Sequence, residues 1–94
     1  MNNLYAGNHE LRVKSSTENL ALIREFVSSE ARNFGISKEV VDKLILAVDE
    51  ASSNIIRHAY KNSPEGEIIV TFILEGDECT IVLTDYGAGF NPAH

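Results

Sequence analysis

The sequence predicts an α+β fold, a two-layer sandwich with helices on one face of an antiparallel-to-mixed sheet. Three observations point to it. Two long runs carry apolar residues at helical spacing, two short runs near the end are rich in β-branched residues, and one short run near the start alternates. The resulting order is strand, helix, helix, strand, strand. Helices grouped ahead of paired strands pack together on one face of the sheet. The 94 residues form one domain, 1–94.

Each element has a local reason. Residues 10–14, Glu-Leu-Arg-Val-Lys, alternate as a strand does. Residues 15–18, Ser-Ser-Thr-Glu, fit a capping box with Ser15 as N-cap and Glu18 reaching back. Leu20, Ile23, Phe26, Val27, Ala31 and Phe34 then form a helical stripe, and Gly35 is placed to end that helix. Ser37 can cap a long second helix that carries apolar residues from Val40 to Ala59 and contains Tyr60. Its stripe is wide enough to predict a largely buried helix. Residues 62–66, Asn-Ser-Pro-Glu-Gly, read as a turn. Residues 67–74 and 79–84 read as two strands joined through residues 75–78.

Charge and composition exclude several classes of function. Eight Lys and Arg stand against fourteen Asp and Glu, for a formal charge of −6. That balance argues against a nucleic-acid binder and against an anionic membrane surface. No apolar run approaches the roughly 20 residues that span a bilayer, and the first nine residues lack a secretory pattern. A cytoplasmic protein is expected. Cys79 is the single cysteine, so no internal disulfide can form. Every basic residue lies at or before Lys61; beyond it stand only Glu65, Glu67, Glu75, Asp77, Glu78 and Asp85. An anion bound there would need a metal ion, backbone amides or residues beyond His94.

Two motifs carry chemistry. Glu50 and Asn54 are four apart on the second helix and share a face at the border of the apolar stripe. A carboxylate and an amide oxygen so placed suit a hard cation or a polarised water. Taken alone, they also describe two surface side chains. Asp85-x-Gly87-x-Gly89 is the second motif. A directed carboxylate at a strand end is followed by glycines that a flat ligand can approach closely. Taken alone, it also describes a glycine-rich turn capped by Asp85. No helix follows it within these 94 residues, so a dinucleotide-binding strand–loop–helix reading is not expected.

Together, a helix with Glu-x-x-x-Asn, two antiparallel strands and Asp-x-Gly-x-Gly resemble the GHKL (histidine-kinase-like) ATPase superfamily and its Bergerat-type ATP-binding fold. Within it, residues 23–27, 46–54 and 58–60 resemble the bacterial anti-sigma-factor serine/threonine kinases, over about residues 11–92. The resemblance implies that Glu50 is the general base for the attacking hydroxyl and that Asn54 binds the magnesium ion bridging the phosphates of ATP. It implies that Asp85 accepts from the adenine amine, and that Gly87 and Gly89 let the backbone pass close to the nucleotide. It also implies a sigma factor and an anti-anti-sigma factor as partners. A non-catalytic interaction module that retains the ATPase fold is the alternative, as is the ATP-binding domain of a histidine kinase.

The family continues past this point with a lid, a second glycine-rich segment, a third helix and closing strands, so the resemblance implies a fold incomplete at its C-terminus. The expectation is that this chain self-associates, as a homodimer or higher, or is a fragment of a longer protein. His9, His58 and His94 have no metal-ligand spacing. His58 is expected to pack near the helix end, and Cys79 to be a small buried residue.

Overall fold

A computed structural model describes residues 7–87. Strand β1 (Gly7–Lys14) leads through a 3-10 turn (Thr17–Asn19) into helix α1 (Leu20–Asn33). Helix α2 (Lys38–Asn54) runs into a single π turn (Ile55–Ala59). Strands β2 (Glu67–Glu75) and β3 (Glu78–Asp85) follow. The sheet has the order β1-β2-β3 and is antiparallel throughout, with Leu11 opposite Val70 and Val70 opposite Leu83. The α+β architecture is the one expected, and the described strands need no mixed pairing.

The alternation of each strand sorts its side chains. Val13, Ile68, Val70 and Phe72 face the helices and are buried. Against them α1 sets Ile23, Val27 and Ala31, and α2 sets Val41 and Val48. Phe34, at the end of α1, stacks on Phe72 with ring centroids 5.7 Å apart. No helix among the described residues is long and apolar enough to cross a membrane.

Local chemistry explains several boundaries. α1 ends in a Schellman motif: the Gly35 N–H donates to the Arg32 carbonyl and the Ile36 N–H to that of Ala31. Gly35 supplies the left-handed backbone, φ +77°. Ser37 caps α2 by accepting from the Val40 N–H. Glu75 pairs with Glu78, so the hairpin loop is Gly76-Asp77, with Gly76 at φ +61° as a type II′ turn requires.

Three expectations are corrected. Ser15 does not cap a helix. It is 1% exposed, and its hydroxyl donates to the Ser63 carbonyl and accepts from the Gly66 N–H. The hydroxyl instead ties the end of β1 to the turn before β2. Ser16 holds the cap position without a side-chain bond. α2 is not largely buried either: only Val41, Val48 and Ser52 are, whereas Leu46 is 71% exposed. A helix in a single layer over a sheet buries one narrow side, so the outer part of a wide stripe faces outward. Finally, the second helix does not continue as α to residue 59; it widens into the π turn at Ile55.

Candidate functional site

The buried line of α2 runs through Val41, Val48 and Ser52. Glu50 is two residues from both Val48 and Ser52, so it and Asn54 fall on the outward side of the helix and not at the border of the apolar stripe, one turn apart, and both are exposed. Glu50 borders a cavity of about 430 Å³ between the start of α1 and the end of α2, shared with Thr17, Leu20, Asp49, Ser53 and Arg57. Asp49, next to Glu50 in the sequence, lines the same cavity. Its charge is committed: Arg24 on α1 donates from Nη1 to Asp49 Oδ1 at 2.6 Å. Arg24 thus joins the two helices. Glu50 is left as the carboxylate without an ion-pair partner among the described residues.

Asn54 stands beside this cavity but does not line it. Its Oδ1 accepts a hydrogen bond from Arg57 Nη2 at 2.8 Å. An amide oxygen has two lone pairs, so this bond leaves one acceptor position open. The reading of the sequence did not single out Arg57. A guanidinium is the side chain best matched to phosphate oxygens. This one stands on the side that carries Glu50 and Asn54, although the strands beyond Lys61 hold no cation.

Asp85 ends β3 opposite Ile68, on the helix-facing side by the alternation that buries Ile68. It is half-buried, and no other described residue donates to its carboxylate. Gly87 follows at φ +75°, a backbone that glycine adopts at little cost. Gly89 lies outside the described residues. Asp85 does not line the cavity at Glu50. The two halves of the site are joined by Tyr60, which follows the π turn. Its hydroxyl donates to the Glu67 carbonyl at 2.6 Å and accepts from the Tyr86 N–H at 2.9 Å. Tyr60 lies in the segment 58–60 that carries the resemblance, but the sequence assigned it no role. A buried phenol needs hydrogen-bond partners, and its place at the end of an apolar stripe was the available signal.

His58 is exposed and not packed, because it lies four residues beyond Asn54 on the same side. Cys79 is half-buried against the Phe72 cluster, and burial pushes its thiol pKa up.

Known proteins are similar to this chain in sequence. Residues 13–94 match the family described as histidine kinase-like ATPase domain. The chain is 33% identical over 82 residues to the serine-protein kinase RsbW of Bacillus mycoides, and 30% identical over 82 residues to RsbW of Bacillus subtilis. Each alignment covers 87% of this chain and 51% of the relative, so the chain spans about half the length of the curated relatives it matches. Matched by this family over more than four fifths of its length, and folded as two helices on a three-stranded sheet, the chain belongs to the histidine kinase-like ATPase domain family.

Proposed function

We propose that this chain is the nucleotide-binding part of an anti-sigma-factor type serine/threonine protein kinase that uses ATP and magnesium. The observation that carries the proposal is Glu50. It is an ionisable carboxylate at the rim of a 430 Å³ cavity, freed from competition because Arg24 takes Asp49. A carboxylate that is to draw a proton from an incoming hydroxyl needs this combination of access and no cationic partner.

The remaining residues suit the same chemistry. Magnesium takes oxygen ligands and is held through one or two protein groups plus phosphates and water. The open lone pair of Asn54 Oδ1 fits that role, and no group of three His, Cys, Asp or Glu side chains gathers among the described residues. When bound, magnesium would supply charge neutralisation for the phosphates. Arg57 would add a second positive group on the same side. Asp85 would accept from the adenine amine, with Gly87 and Gly89 allowing close approach of the backbone. A sigma factor and an anti-anti-sigma factor are the proposed protein partners. Among the described residues the outer edges of β1 and β3 are unpaired, and a second copy would pair there.

Isothermal titration with magnesium-ADP tests the proposal, on this chain and on the form carrying whatever its gene encodes after His94. Binding by either form is the expected result. Absence of binding in both would overturn the kinase reading and favour an interaction module. Glu50→Ala should abolish phosphate transfer to a serine of the partner and leave ADP binding within about threefold. Retained transfer would remove Glu50 from the role of base.

A further inference from the structure

The ladder between β2 and β3 stops one pair short of where its register would carry it. Ile68 faces Asp85, so the next facing pair is Glu67 and Tyr86. The Tyr60 hydroxyl stands between those two residues, donating to the Glu67 carbonyl and accepting from the Tyr86 N–H. A phenol carries one donor and an acceptor oxygen, so one group satisfies both strands. Tyr60 is 4% exposed, which keeps water from replacing it.

Its position is fixed from two sides. The π turn makes the Tyr60 N–H donate to the Ile55 carbonyl, five residues back. An α turn would bond it to Ile56 and send the ring in another direction. Gly66 lies against the ring so closely that a Cβ there would overlap it. The helix that bears Glu50 and Asn54 is thereby tied to the peptide that joins Asp85 to Tyr86.

We propose that Tyr60 is a positioning residue for nucleotide recognition: its hydroxyl holds the Asp85–Tyr86 peptide, and so sets the direction of the Asp85 carboxylate. The proposal rests on the nucleotide reading above. Tyr60 touches no nucleotide in this role and acts through Asp85 alone. Loss of its hydroxyl should therefore weaken discrimination at the base more than binding of the phosphates.

Tyr60→Phe tests this by keeping the ring and removing one oxygen. Amide exchange of Tyr86 is followed by NMR, and magnesium-ADP and magnesium-GDP affinities are measured on the full-length protein. The Tyr86 amide should be protected in the unmodified protein and exchange at least about tenfold faster in Tyr60→Phe. ADP should bind about tenfold more weakly with GDP little changed, so the preference for ADP falls. An unprotected Tyr86 amide in the unmodified protein overturns the proposal, whether or not the variant folds. Equal losses for both nucleotides, or an unchanged ADP affinity, also overturn it. If the unmodified protein binds neither nucleotide, the nucleotide reading falls and takes the positioning role with it. The exchange of Tyr86 would then still report the bridge separately.

Discussion

Adding one methyl group at Gly66 should destabilise this domain by an amount that its neighbour dictates. A Cβ there would overlap Tyr60 Cε1 and Cδ1 and lie 2.6 Å from Cζ. Comfortable carbon–carbon separations begin near 3.5 Å, so the ring would have to retreat by roughly 1 Å. It cannot do so freely, because its hydroxyl is held at 2.6 Å by the Glu67 carbonyl and at 2.9 Å by the Tyr86 N–H. A 1 Å retreat carries both contacts past hydrogen-bonding distance, at about 1 kcal/mol each. Residual overpacking adds at least about 1 kcal/mol. Gly66→Ala should then cost about 3 kcal/mol, or roughly 12–24 °C of melting temperature for a domain of this size. The backbone of Gly66 is not in the left-handed region, so alanine is acceptable to the chain itself. In a Tyr60→Ala background, where the ring is gone, the same change should be neutral or stabilising by up to about 1 kcal/mol. Urea unfolding of the four proteins, with sucrose present to keep the weaker variants folded, gives the coupling directly. A melting-temperature loss under about 4 °C, or equal losses in both backgrounds, would refute the reasoning.

Other outcomes follow from the same structure. Ser15→Ala removes both side-chain bonds of a residue that is 1% exposed, and should lower stability by about 2–3 kcal/mol in urea titration. Phe72→Ala empties the layer between α1 and the sheet and should cost about 3–5 kcal/mol, enough to populate unfolded chain at 37 °C by circular dichroism. Arg24→Ala breaks a pair that is more than a third exposed on each side, so its melting temperature should fall by only about 0–5 °C. Cys79 should label slowly with a thiol reagent at pH 8, because burial raises its pKa and lowers the thiolate fraction; urea should erase the difference. By linkage, that stabilisation is complete below the ordinary thiol pKa. It is lost as pH rises through the higher folded value, so the urea midpoint should decline on the alkaline side.

Much of the framework was legible because it is local. The Schellman stop at Gly35, the Ser37 cap and the Gly76 turn each depend on residues within six positions of one another, and backbone groups must be satisfied wherever they fall. The four-residue spacing of Glu50 and Asn54 is likewise a periodic fact of one segment.

What joins those segments was decided elsewhere. Ser15 looked like a helix cap until the turn 51 residues away brought the Gly66 N–H to its hydroxyl. Asp49 and Glu50 were a bare pair of acids until Arg24, 25 residues earlier, neutralised one of them. Tyr60 was an aromatic residue at a helix end until Tyr86, 26 residues on, donated its amide to it. The sequence alone determined the elements, their order and the two motifs, because those follow from spacing along a chain. Tertiary structure alone decided which carboxylate stays free and which hydroxyl ends the ladder, because a hydrogen bond between distant segments exists only once packing has brought both partners out of water.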